Sequence, residues 1–158
     1  MKTPKLTLPG VMLTVAIVFI VAAVVGPFVL TPDRLNKVRK ASSELGNLSA
    51  AILRMEKATG QMVGRETIDI CLSDNEFTDL SDCALGLACN DGSYTNWNGP
   101  YSQSNGVDPW GNPYYIDGDY YFQDRVARVV GSRGPNGFQE YEGGDDIVQI
   151  LCFSKEKI

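Results

Sequence analysis

Between Leu6 and Pro32 the chain carries no charged residue, and the run Val11–Leu30 is almost purely apolar. A helix needs about 20 consecutive apolar residues to cross a bilayer, so this run predicts a membrane-spanning helix within residues 6–32. Lys2 and Lys5 precede it while Asp33 and Arg34 follow it. The excess of positive charge on the first side places residues 1–5 in the cytoplasm, as a short leader-like segment, and the remaining chain outside. A cleaved secretory signal is the alternative. The apolar run is long for that purpose, and no clear small-x-small cleavage site follows it.

Beyond Pro32 the helical pattern continues instead of breaking into a linker. Val38, Ala41, Leu45, Leu48, Ile52 and Met55 recur at spacings of three and four, which lines one face of a helix. Arg34, Lys37, Lys40, Glu44, Arg54 and Lys57 occupy the opposite face. Asp33 favours the first turn and Gly60 can end the last one, predicting an amphipathic helix over about 33–58. Pro27 and Pro32 lack amide donors, so a kink or unwound stretch is expected near 26–32. The expectation is one long, interrupted helix, apolar all round in its first half and one-sided in its second. The first half calls for lipid or neighbouring copies, and the second for a small domain to lie against.

After residue 60 Gly, Asn, Asp, Ser and Tyr dominate and turn dipeptides recur, which is loop and strand territory. Residues 61–95 read as a variable, disulfide-tied connection with at most one short helix around 78–87. Tyr114–Ile116, Tyr120–Phe122 and Val126–Val130 are β-prone runs, with Asp117-Gly118 as a hairpin signal between the first two. Ile147–Phe153 reads as a further strand or a pinned extended tail. The expected fold class is therefore α+β: a long N-terminal helix, transmembrane in its first half, packed on a small antiparallel β-sheet. Residues 33–158 form the domain outside the membrane.

The formal net charge is −5, with no long basic run, which argues against nucleic acid as a partner. Histidine is absent, removing the commonest general base and every Ser-His or Cys-His nucleophilic pair. Glu140, Glu142, Asp145 and Asp146 could in principle do acid–base work in a membrane-tethered enzyme or ligand-binding module. They sit in a Gly-rich loop with nothing nucleophilic beside a base nearby, so the expectation is that the chain is not an enzyme. Cys71, Cys83, Cys89 and Cys152 lack the C-x-x-C spacing of a zinc site. On the outer side of the membrane they are read as two disulfides. Sequence leaves the pairing open, with Cys71–Cys83 and Cys89–Cys152 favoured.

Two blocks in the second half carry a resemblance. Trp97-Asn-Gly-Pro-Tyr101 and Asp108-Pro-Trp-Gly-Asn-Pro-Tyr114 resemble the Gly-Pro-Tyr and Asp-Pro-Trp-Gly-Asn-Pro-Tyr blocks of the major pseudopilin of type II secretion systems, within the type IV pilin-like family. The fold-motif residues are Trp97, Pro100, Tyr101, Asp108, Trp110, Gly111, Asn112, Pro113 and Tyr114. Physically the second block is a rigid turn: Pro109 fixes φ, Gly111 is permissive, Pro113 restricts Asn112, and Trp110 and Tyr114 plug the turn into the sheet. A third block, Ser132-Arg-Gly-Pro-Asn-Gly137 with Glu142-Gly-Gly-Asp-Asp-Ile147, is similar to the family's calcium loop. The resemblance implies Ca²⁺ held by Asp145 and Asp146, with carbonyls from Val130 or Ser132 and an oxygen from Asn136. Asn136 stands where the family has Asp, which removes one formal charge.

The N-terminal segment resembles the pilin signature with departures. If Pro27 matches the family's kinking proline, Leu6-Thr-Leu8 falls on the usual Phe-Thr-Leu opening. Lys5 then replaces the Gly recognised by prepilin peptidase, and Gly10 replaces the usual Glu. Cleavage after Gly10 would restore the peptidase residue but put Val15 in the Glu position. Leader removal and methylation of the first residue stay open. The resemblance implies a structural subunit of a secretion pseudopilus or related pilus, polymerising with a filament core of Val11, Val15, Val18, Phe19, Ala22 and Pro27. Its implied partners are further copies of itself, other pseudopilins or minor pilins, the inner-membrane assembly platform and prepilin peptidase. The alternatives are a minor or tip pseudopilin and a non-polymerising membrane-anchored binding module. A DNA-binding minor pilin fits the acidic charge poorly.

Overall fold

The computed structural model describes residues 32–64, 71, 75–122, 124–141 and 144–154. The chain divides into two units after Leu35; apart from the first turn of the helix, every element below belongs to the second unit, Asn36–Ile158.

Helix α1 spans Pro32–Thr59, 28 residues. Proline suits the first turn because its missing N–H would find no intrahelical acceptor there, and Asp33 adds a favourable charge at that end. At the other end Gly60 turns the chain at φ 70°, and its N–H donates to the Glu56 carbonyl at 2.8 Å. Ala41, Leu45, Leu48, Ile52 and Met55 are buried at the spacing read from the sequence, whereas Val38 is left exposed.

This helix corrects the expected fold. The expectation was a single long helix with a membrane-spanning first half. The observed helix runs from Pro32, and no helix among the described residues is long and apolar enough to cross a membrane. Asp33, Arg34, Lys37, Arg39 and Lys40 in its first turns would each be costly in hydrocarbon. Residues 1–31, which include Val11, Val15, Val18, Phe19, Ala22, Pro27 and the start of the expected kink, lie outside the described residues.

Four antiparallel strands follow in the order β1-β2-β3-β4: β1 Glu76–Phe77, β2 Tyr115–Phe122, β3 Arg125–Ser132 and β4 Ile147–Phe153. The hairpin expected at Asp117-Gly118 is not there. β2 runs straight through both residues, and its pairing with β3 slips between Asp117 and Tyr120. An extra residue accommodated this way is a β-bulge. The Asp117 carboxylate accepts the Asp119 N–H at 3.0 Å, while Gly118 N–H reaches Asn75 O at 3.3 Å. The chain reverses instead after Phe122, with Asp124 at φ 58°. β4 bears out the strand read at Ile147–Phe153, and β1 falls in the segment read as connection.

Alternation along the strands gives the sheet two apolar faces. Ile116 and Val130 join Leu45, Leu48, Ile52, Met55, Leu85, Leu87 and Tyr114 in the main core under α1. Tyr115, Tyr120, Ala127 and Val129 form a second cluster on the reverse face. An ionic contact crosses the helix–sheet layer. Arg128 of β3 donates to both Glu56 oxygens, at 2.7 and 2.9 Å, and both residues are buried.

The disulfides join Cys71 to Cys152 and Cys83 to Cys89, which replaces the favoured pairing. The reason is local. Asp82 caps a three-residue 3-10 turn, Cys83–Leu85, by accepting the Ala84 N–H at 2.9 Å, and Gly86 ends it at φ 72°. The chain therefore doubles back within six residues, leaving the Cα atoms of Cys83 and Cys89 4.6 Å apart. This turn is also all that the structure shows of the short helix expected around 78–87. Cys152 sits on β4 opposite Arg128, where Cys71 reaches it.

Candidate functional site

The site is built on the turn at 108–112. Asp108 Oδ1 accepts the N–H groups of Trp110 and Asn112 at 2.9 and 2.8 Å, and Asp108 N–H donates to the Asn112 carbonyl at 2.8 Å. Gly111 completes the loop at φ 96°, a backbone state that costs glycine little. Asp108 is buried, and its other oxygen accepts the Ser132 hydroxyl at 2.6 Å. Asn112 Nδ2 donates to the Gly134 carbonyl at 2.6 Å. The turn is thus latched onto the end of β3 and the loop that follows it.

The other fold-motif residues divide. Tyr114 is fully buried in the main core, and its hydroxyl donates to Glu44 Oε2 of α1 at 2.6 Å. Burial, then the Glu44 acceptor, push its phenol far above the ordinary value. Trp110 is half-buried and outside both clusters, so of the two aromatics Tyr114 alone plugs the turn into the core. Trp97 donates through Nε1 to the Gly86 carbonyl at 2.6 Å and meets Tyr101 edge-on, with ring centroids 5.9 Å apart. The peptide between Gly99 and Pro100 is cis, and Tyr101 N–H donates to Leu87 O at 2.8 Å.

Past Ser132 the loop gathers three carboxylates. Glu140, Asp145 and Asp146 each offer an oxygen within 4.8 Å of the others. One oxygen of each is engaged. Asp145 Oδ2 accepts Asn136 N–H at 3.2 Å, Asp146 Oδ2 accepts Glu140 N–H at 2.8 Å, and Glu140 Oε2 accepts Asp145 N–H at 3.1 Å. The Tyr115 hydroxyl also donates to Asp146 Oδ2, at 3.4 Å. Asp145 Oδ1 and Asp146 Oδ1 are buried with no hydrogen-bond partner. Burial, followed by the nearby charges of Glu140 and Asp145 and opposed by the Glu140 N–H, holds Asp146 above the usual carboxylate range.

Two glycines close this loop. Gly134 and Gly144 adopt φ 60° and 67°. A Cβ on Gly134 would strike the Asp145 carbonyl, and one on Gly144 would strike the Glu140 carboxylate. Buried carboxylate oxygens without donors, clustered on a tightly folded glycine-rich backbone, fit a hard cation such as Ca²⁺, which takes six to eight oxygen ligands. Glu140, Asp145 and Asp146 would hold it, and two buried anionic oxygens would gain a countercharge that the protein alone does not give them.

The remaining expected ligands sit as follows. Val130 lies mid-strand, paired with Ile116 and Gln149, with its side chain in the main core. Ser132 ends β3, its hydroxyl held between Asp108 and the Gly134 N–H. Asn136 turns its amide oxygen to the Phe138 N–H at 2.7 Å and donates through Nδ2 to Glu140 at 3.1 Å. It braces a ligand here. Glu142 lies outside the described residues. Glu140 was not among the expected ligands, yet the fold brings its carboxylate beside those of Asp145 and Asp146; its signal was its place in the short loop between Asn136 and Asp145.

A second acidic group, Glu76, Asp117 and Asp119, also brings its oxygens within 4.8 Å. Asp117 is fully buried, and both of its oxygens are occupied, by Asp119 N–H at 3.0 Å and Gln139 Nε2 at 2.8 Å. Burial raises its pKa from 3.8 to about 6, against the opposing Asp119 N–H and with the charges of Glu76 and Asp119 adding to the rise. The fold therefore binds this proton more tightly than the unfolded chain does. The stabilisation is fully present below about pH 4 and is lost as pH rises through 6. In urea titrations between pH 4 and 7, Asp117→Asn should gain on the wild type as pH rises. A difference that stays constant across that range would refute the assignment.

No family model, curated protein or solved structure matches the chain.

Proposed function

We propose that this chain is a structural subunit of a type II secretion pseudopilus or a related pilus-like filament, polymerising through its N-terminal apolar stretch. The observation that carries the reading is the latch between the second and third of the blocks that carry the resemblance. Asp108 with Ser132, and Asn112 with Gly134, make one rigid unit of a turn and an acidic loop far apart in sequence. The amphipathic α1 adds support, because it follows the apolar run Val11–Leu30 without an intervening linker. On this reading the apolar run sits in the inner membrane before assembly and among sister copies afterwards. The domain that follows lies in the periplasm or outside the cell. The subunit supplies stiffness and interfaces and performs no chemistry. Its partners are copies of itself, other pseudopilins or minor pilins, the assembly platform and prepilin peptidase.

Cysteines placed at Val15 and Leu30 of the full chain in membranes test the reading. Oxidation should give cross-linked dimers from either cysteine alone and a ladder of cross-linked copies from the variant that carries both. A strictly monomeric product from both positions would remove it.

The acidic loop is proposed to bind Ca²⁺ as part of the same subunit. An ion that binds only the folded chain stabilises it by about 2.7 kcal/mol at one hundred times its Kd. Adding Ca²⁺ to chelator-treated protein should therefore raise the urea midpoint, and a chelator should reverse the gain. Asp145→Asn with Asp146→Asn should abolish the response. A wild-type midpoint indifferent to millimolar Ca²⁺ would eliminate the ion from the account.

A further inference from the structure

The side chain of Asn136 divides its amide between two partners. Oδ1 accepts the Phe138 N–H at 2.7 Å, and Nδ2 donates to Glu140 Oε2 at 3.1 Å. Chemistry fixes this orientation. An ionised carboxylate only accepts and a backbone N–H only donates, so exchanging the two ends of the amide would lose both bonds. The backbone of Asn136 is tied separately, its N–H donating to Asp145 Oδ2 at 3.2 Å.

Glu140 Oε2 takes a second donor, the Asp145 N–H at 3.1 Å. This oxygen thus receives two hydrogen bonds, whereas Asp145 Oδ1 and Asp146 Oδ1 in the same cluster are buried and receive none. Carboxylates hold Ca²⁺ through one oxygen or both, and affinity follows the charge and number of the ligand oxygens. Asn136 works against both. Its amide nitrogen occupies one Glu140 oxygen and leaves the other to act alone, while its own oxygen is turned away to Phe138.

We infer that Asn136 limits the cation affinity of this loop, because its Nδ2 stands in for part of the countercharge at Glu140. Binding through both Glu140 oxygens requires Asn136 to let go. The inference rests on the Ca²⁺ reading of the loop, and it gives Asn136 a role opposite to that of the oxygen ligand expected from the resemblance. Asn136 is exposed, and its backbone contact with Asp145 survives replacement by alanine or aspartate, so neither substitution disturbs the core.

The test is a calorimetric titration of the chelator-stripped full chain, in detergent, with Ca²⁺. Asn136→Ala removes the donor and adds no oxygen. It should bind about fivefold more tightly than the wild type, the worth of one exposed amide–carboxylate hydrogen bond. Asn136→Asp replaces the donor by an anionic oxygen and should bind at least about tenfold more tightly. A residue that merely braced Glu140 would give the opposite result for alanine, weaker binding from a less well-placed ligand. Equal or weaker binding by Asn136→Ala overturns the inference while the Ca²⁺ reading stands. A gain confined to Asn136→Asp overturns it too, since the added anion alone would account for that. No binding by the wild type or by either variant overturns both.

Discussion

Replacing Arg128 by methionine should destabilise the domain by about 3–5 kcal/mol, because it leaves the Glu56 carboxylate buried without its partner. The pair is bidentate at 2.7 and 2.9 Å, and both side chains are under one-tenth exposed. Glu56 Oε1 also accepts the Val63 N–H at 3.3 Å, so the same carboxylate fixes the chain just after α1. With a urea slope of about 1–3 kcal/mol per molar, the midpoint should fall by at least 1 M. The double variant Glu56→Leu with Arg128→Met should recover most of that loss, since an apolar pair removes the uncompensated charge along with the attraction. A single variant within 1 kcal/mol of the wild type would mean that water reaches the pair.

The disulfides give the second large effect. Chain-entropy reasoning assigns about 4.5 kcal/mol to a bridge that closes roughly 81 residues and about 2 kcal/mol to one that closes about 6. Cys71→Ser with Cys152→Ser should therefore cost roughly twice as much stability as Cys83→Ser with Cys89→Ser. The long bridge ties residue 71, in the connection that follows α1, to β4, which adds to that contrast. Equal losses from the two double variants, read as urea midpoints under oxidising conditions, would contradict it.

Much of the domain was legible in the sequence because its periodicities are strong. The Ala41–Met55 spacing gave the buried face of α1, Gly60 marked its end, and Ile147–Phe153 read as a strand or an extended tail. Other features depend on contacts that sequence does not display. Asp117-Gly118 carries the letters of a hairpin turn. A buried carboxylate bonded to Asp119 and Gln139 makes it a bulge inside β2 instead. The disulfide pairing followed from a turn at Gly86 that brings Cys89 back to Cys83, a local geometry which residue spacing alone leaves ambiguous. Nothing in the sequence pattern singles out Glu56 and Arg128 as partners. Their burial appears once α1 lies on β3. At the candidate site Asp145 and Asp146 were read directly from the loop. The role of Glu140, and the inward turn of the Asn136 amide nitrogen, needed the folded backbone. The expected membrane-spanning helix is not seen among the described residues, where α1 runs from Pro32; the apolar run itself lies outside them.

The central claim is that copies of this chain assemble. Electron microscopy of material sheared from cells that overproduce the full chain addresses it directly. The account predicts thin filaments that bind an antibody against the Asn36–Ile158 domain along their length. Monomers alone, with the antibody confined to the cell envelope and no filament at any expression level, would contradict it.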